Sequence, residues 1–180
     1  MNPFRKNAMN YGAILGLVLT LLFFIQYFLE LMASSWLGLL QYAAIIAIIS
    51  WACVYYRNNV LHGSITYGKA LGMGTLVSFF GSLIIAFFIY VFYTFIDPKA
   101  LDMIFVQVEN QMYNQGLSDT EIEMAVEMTK KMTNPPFMAI GTVIGLTFWG
   151  FLFSLITSAF IKKNNGNEFN EAMKEISNEE

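Results

Sequence analysis

Ala70–Ile96, ALGMGTLVSFFGSLIIAFFIYVFYTFI, runs its whole length without a charged residue. A helix of about 20 residues crosses a hydrocarbon core roughly 30 Å thick, so this stretch spans a membrane with length left for tilt. A barrel strand would alternate apolar and polar side chains over about ten positions, whereas here every face is apolar. Leu39–Tyr56 and Phe137–Ile161 share that character, and so does Tyr11–Leu31 apart from Glu30 at its outer end. The sequence therefore predicts an all-α membrane protein with four transmembrane helices, at about 11–31, 39–56, 70–96 and 137–161.

Composition excludes the soluble alternative. Of 180 residues, 56% are hydrophobic and 13% charged, about half the charged share of a soluble globule. The 17 Phe alone would leave apolar patches in water. Residues 1–180 read as one membrane domain, with an insertion at 97–136 and a tail at 162–180. The first apolar run is longer than the usual 7–15-residue core of a signal peptide and lacks a convincing cleavage site, so a retained helix is expected. The lone Cys53 reads as a small buried hydrophobe. A net charge of −3 without a basic, aromatic-rich cluster excludes nucleic acid as a partner.

Lysine and arginine set the expected orientation. Arg5, Lys6, Arg57, Lys69, Lys162, Lys163 and Lys174 fall on one side, and Lys99, Lys130 and Lys131 on the other, which also holds most carboxylates, Glu30 among them. Both termini are expected in the cytoplasm and the 97–136 insertion outside. Trp36, Tyr90 and Tyr93 suit an outer aromatic belt, and Tyr55 and Tyr56 an inner one.

Lipid gives helices no hydrophobic reason to associate, so small residues that admit close approach matter more. Gly12-x-x-x-Gly16, Gly68-x-x-x-Gly72 and Gly141-x-x-x-Gly145 are the packing candidates, and Gly74, Ser78, Ser82 and Ala86 form a further stripe. They serve packing within the chain or, alternatively, a homodimer. Tyr11-Gly12-x-x-Leu15-Gly16 also echoes Tyr67-Gly68-x-x-Leu71-Gly72 at an offset of 56, as a duplicated two-helix unit would.

The insertion predicts a helical hairpin over 98–133. Asp97-Pro98 is a helix start, and Leu101, Ile104, Phe105, Val108 and Met112 form an apolar stripe. Gly116 stops it, and Ser118 with Glu121 matches a capping box. Ile122, Ala125, Met128 and Met132 follow on one side. Phe105, Val108 and Met112 are expected to pack on Ile122, Ala125 and Met128 and cap the bundle over the outer ends of spans three and four; Phe105, Val108, Met112 and Met128 are alternatively the candidates for a partner-binding face. Phe169, Ala172, Met173 and Ile176 hint at a short stripe in the tail.

No constellation for chemistry appears. His62 is the sole histidine and sits beside a turn glycine, which leaves no paired-histidine metal site and no spare acid–base partner. No cofactor is expected. The spans contain no charge at mid-membrane, which argues against proton-coupled transport. Not an enzyme is the expectation.

Gly63-Ser64-Ile65-Thr66-Tyr67-Gly68-Lys69-Ala70-Leu71-Gly72-Met73-Gly74 leads into the third span, which leaves through Ile96-Asp97-Pro98. The last span carries Gly150 and Ser154-Leu155-Ile156 before Lys162-Lys163. Over most of its length the chain resembles a domain-of-unknown-function family of small four-helix bacterial inner-membrane proteins. The resemblance implies a cytoplasmic membrane with the insertion in the periplasm, and it brings no activity, cofactor or active site. Besides the lipid bilayer, the expected partner is a membrane or periplasmic protein, with the chain as accessory or scaffold. The alternative is a carrier or channel for a small neutral or lipidic solute, its cavity lined by Gln26, Gln41, Thr75 or Thr147.

Overall fold

A computed structural model describes residues 2–29 and 35–163. Glu30, the tail stripe of Phe169, Ala172, Met173 and Ile176, and the side chain of Trp36 lie outside the described residues. The order is α1 (Pro3–Phe28), α2 (Ser35–Asn59), α3 (Tyr67–Val91), a π-helical turn (Phe92–Ile96), α4 (Ala100–Asn114), α5 (Asp119–Met132) and α6 (Pro135–Ile161). No strand occurs among the described residues; Ile65 and Lys163 form an isolated bridge. Among the described residues four helices are long and apolar enough to cross a membrane.

α1 and α6 begin ahead of their apolar cores because local caps, not hydropathy, set their starts, and α1 ends at Phe28, short of the expected Leu31. Asn2 accepts from the Phe4 amide at 3.0 Å ahead of Pro3, and Asn134 accepts from the Phe137 amide at 3.0 Å ahead of Pro135. Each side chain satisfies an N–H that the first turn leaves free, and each proline sits where its missing N–H costs nothing. The third helix starts at Thr66-Tyr67 and changes to π geometry at Phe92, where Asp97 N–H bonds Phe92 O at 2.9 Å.

Neighbours run α1–α3–α6–α2 around the bundle, with α3 packing most extensively, on α6 and α1. The end of the bundle that carries both chain ends is tied by polar contacts. Asn7 is buried and donates to Ala52 O at 3.2 Å and Met73 Sδ at 3.3 Å. Arg57 donates to Ile161 O at 3.1 Å, satisfying a carbonyl at the end of α6. Ile65 and Lys163 exchange two backbone bonds. His62 (φ +50°) and Gly63 (φ +102°) make the left-handed turn that brings Ile65 there.

Of the expected belt residues, Tyr90 and Tyr55 are exposed, but Tyr56 and Tyr93 are buried. Tyr56 meets Phe4 edge-on, and Tyr93 meets Phe23 and Phe92. Aromatic packing holds these two rings inside the bundle. The duplicated motif does not carry equivalent roles either. Tyr11 is core, its ring against Trp51 and Tyr55 of α2, while Tyr67 is exposed.

Candidate functional site

Between its two ends the bundle changes character. Near the chain ends the helices interlock through small residues. A Cβ on Gly12 would lie 2.5 Å from Phe80 Cβ, and one on Gly16 would lie 2.9 Å from Gly81 O and 2.7 Å from Ile84 Cβ. Across the α3–α6 seam, a Cβ on Gly74 would overlap Ser154 and one on Gly150 would overlap Ser78. Ser78, Ser82, Ser154 and Ser158 are fully buried there. Ser154 donates to Leu71 O at 3.1 Å, and Ser78 donates to its own helix at Gly74 O.

Toward the hairpin the same helices part. A cavity of about 250 Å³ opens between all four spans. Phe23, Gln41, Ile89 and Thr142 form its ring nearest the hairpin, and Leu19, Ile45, Ile85 and Leu146 the ring below. Five to nine residues separate Leu19 and Phe23 from the end of α1, which places the cavity roughly 10 Å inside that end at 1.5 Å rise per residue. Tyr42 and Trp149, rings 5.8 Å apart and 41% and 45% exposed, stand at its α2–α6 side. Beneath it Leu15, Ile49 and Ser78 are fully buried. Of the expected polar lining, Gln41 is present. Thr75 bonds Leu71 O within its own helix, Thr147 sits 3.4 Å from Ser82 in the α3–α6 seam, and neither lines the cavity. Gln26 is not in the lining either; its buried Nε2 has no partner among the described residues.

On the α1–α3 side the same level is filled by rings. Phe23, Phe24, Phe88, Phe92 and Tyr93 meet largely edge to face, with centroids 4.8–6.4 Å apart. The π turn adds a residue to the helix, and Phe92 and Tyr93 are both buried by it. The Tyr27 hydroxyl donates to Asp97 Oδ2 at 2.5 Å, while Asp97 Oδ1 accepts from the Lys99 amide at 3.1 Å. One carboxyl group thus ties the end of α1 to the start of the hairpin. The α4 helix begins at Ala100, two residues after the expected start, because Pro98 and Lys99 complete the Asp97 turn first.

The hairpin rests on the bundle through its base: Ala100 is buried, and Leu101 and Ile104 pack with Met138 on the aromatic cluster. Beyond that base α4 and α5 pack on each other. Ile122 is buried, and Phe105, Val108, Met112, Ala125 and Val126 are half-buried. The Lys130 ammonium lies 5.8 Å from the Phe105 ring centroid, within cation–π range. Met128 is the correction. It is 64% exposed, because at about 100° per residue it stands roughly 120° round the helix from Ile122. Met124, Met128 and Met132, each four residues on, make an outward stripe of their own. The hairpin's seat is the outer ends of α3 and α6, the third and fourth spans, with Phe23, Phe24 and Tyr27 of α1 beside them.

Ser118 donates from both its hydroxyl (2.7 Å) and its backbone N–H (2.9 Å) to Glu121 Oε2. Those bonds hold the Glu121 carboxyl below its ordinary range. Asp119, with some desolvation and then Glu109, holds the Tyr113 phenol above its own. Tyr113, Asp119, Glu109, Glu123 and Glu127 line an open cleft of about 560 Å³ between α4 and α5. Among the described residues no three His, Cys, Asp or Glu converge with metal-holding geometry.

A family model for a protein of unknown function (DUF4199) matches residues 10–163. The chain belongs to that family. The match covers the four spans and the hairpin together, so the cavity and the interlocked seams both lie within the DUF4199 region. No curated protein and no solved structure matches the chain.

In this DUF4199 protein the six glycines proposed from sequence separate into two groups. Gly12 and Gly16 are clamped, and Gly72 makes an ordinary contact with the Phe4 ring, a Cβ standing 3.6 Å from Phe4 Cζ. Gly68, Gly141 and Gly145 meet nothing within 4 Å, which corrects their assignment to packing within the chain. Nine residues separate Gly141 from Gly150 and Gly145 from Ser154, so each pair faces about 180° apart on α6. The seam uses the Gly150–Ser154 face. Gly81, packed against Leu15 and Gly12 O, was not picked out from sequence because its GxxxG partners are bulky.

Proposed function

We propose that this protein is a non-enzymatic accessory protein of a bacterial cytoplasmic membrane, which holds a partner protein through the outer face of its hairpin. The stripe of Met124, Met128 and Met132 carries the proposal. It is apolar and exposed, and it belongs to an element already packed on its other side. Methionine is flexible and polarizable, suited to irregular partner surfaces. The interlocked half of the bundle supports a fixed scaffold over a solute path, since a carrier would need the cavity to continue past Leu15, Ile49 and Ser78. In this reading the chain ends are cytoplasmic, as the seven cations on that side favour, and the hairpin is periplasmic.

A photocrosslinking residue at Met128 in living cells should yield one discrete protein adduct, absent when the probe replaces Phe105 inside the hairpin. Adducts to lipid alone, or identical products from both positions, contradict the proposal. Orientation is checked separately. A membrane-impermeant thiol reagent added outside should label Asn114→Cys and spare His62→Cys, with native Cys53 buried and silent. Gly141 and Gly145 face outward on α6, and this favours, as a second reading, a homodimer through that face. Disulfide formation at Gly141→Cys, with a dimer on a non-reducing gel, would support it.

A further inference from the structure

The cavity between the spans is graded from one end to the other. Its ring nearest the hairpin holds the two polar side chains of highest position, Gln41 and Thr142, whereas the ring below is Leu19, Ile45, Ile85 and Leu146. Thr142 already donates to Met138 O at 2.8 Å, so Gln41 supplies the amide left to meet a ligand. Water does not suit the lower ring, because a buried water needs two to four polar partners. An unfilled apolar space forfeits dispersion contact on every wall. The surrounding medium at this depth is hydrocarbon. Its own molecules have the matching order, with apolar chains deep in the membrane and a polar linkage above them. A volume of about 250 Å³ falls below the roughly 300–1,000 Å³ of sites for drug-sized ligands, which fits a single chain and not a whole lipid.

We propose that this cavity binds one acyl chain of a phospholipid from the hairpin-side leaflet, the chain entering beside Tyr42 and Trp149 and its ester carbonyl accepting from the Gln41 amide. The inference rests on the cavity alone and is independent of the hairpin's partner.

Trp149 at the cavity side reports occupancy. With Trp36→Phe and Trp51→Phe leaving it as the sole indole, the full-length protein in detergent is titrated with a phospholipid brominated in mid-chain. Quenching should saturate at one lipid per protein. Leu146→Phe and, separately, Ile85→Phe fill the lower ring and should remove the saturable component, leaving the linear quenching of bulk lipid. Gln41→Leu should weaken binding several-fold. Linear quenching of the otherwise unaltered protein overturns the site whatever the variants do. Saturation by a brominated free fatty acid but not by the phospholipid overturns the assignment to a membrane lipid.

Discussion

The chain-end half of the bundle and its hairpin-end half are made by the same four helices, yet one is closed and the other holds a cavity. In the first, Gly12, Gly16, Gly74, Gly150 and four buried serines let backbones meet with no room for a methyl group. In the second, Phe23, Ile85, Ile89, Leu146 and Trp149 hold the backbones apart without filling the space between them. Lipid is as apolar as leucine, so burying leucine against a neighbouring span gains little. Close approach then depends on side-chain size, and the small residues that face a neighbouring helix are concentrated at one end. The aromatic cluster shows a second solution at the level of the cavity: on the α1–α3 side, interleaved rings restore density.

The contrast can be broken most forcefully at α1. Gly16→Leu sets a branched side chain against the Gly81 carbonyl and Ile84, and backbone cannot step aside as a side chain can. The expected loss is about 3 kcal/mol, the upper part of the overpacking range, seen as a large fall in thermal unfolding temperature in detergent. Gly145→Leu, facing open space, should leave that temperature unchanged.

Phe105→Ala probes the hairpin. Removing a fully buried ring costs about 3–5 kcal/mol, and Phe105 is half-buried, so a loss of about 2 kcal/mol is expected. It should be confined to hydrogen-exchange protection in α4 and α5, with the spans unaffected. Tyr27→Phe deletes the hydroxyl that reaches Asp97. A loss of about 1–2 kcal/mol should loosen the end of α1 and the base of the hairpin together. If α1 exchanges unchanged, the phenol–carboxyl tie does not hold the two elements.

Acid should produce the smallest effect. The Glu121 carboxyl is held below its ordinary value by the Ser118 hydroxyl and then its N–H. The stabilisation is therefore complete above the ordinary carboxylate range and is lost as pH falls below about 4 and through the folded value. Hydrogen exchange at the start of α5, corrected for intrinsic rates, should quicken over that window, and Glu121→Gln should abolish the pH dependence.

Much of this was legible in the sequence. Long uncharged runs fix four helical spans because lipid admits only helices and closed barrels and these runs lack a barrel strand's alternation, and Ser118-x-x-Glu121 and Gly116 mark the hairpin turn through local chemistry. The seams were only partly legible. Gly12 and Gly16 announced themselves by spacing, but so did Gly141 and Gly145, and spacing does not say which side of α6 will face α3. Gly150 and Ser154 pack there because Ser78 and Gly74 lie opposite, a match between distant segments. Met128 went astray for a related reason. Spacings of three drift backward round a helix by about 60° each, so two in succession carry a residue off the face that Ile122 defines. Of the cavity only Gln41 was legible among the four polar residues offered for its lining, since a space is made by what four helices fail to fill.

Gly150 and Leu146 lie one turn apart on α6, the first in the closed half and the second in the cavity wall. Thermal unfolding of Gly150→Ala and Leu146→Phe in lipid-free detergent therefore sets the two halves against each other directly. Gly150→Ala drives a methyl group into Ser78 and should cost about 1–3 kcal/mol. Leu146→Phe adds volume where there is space, and should leave stability unchanged or raise it by about 1 kcal/mol. A loss in Leu146→Phe as large as that in Gly150→Ala would mean that the hairpin-end half is as tightly packed as the other, and would contradict the account.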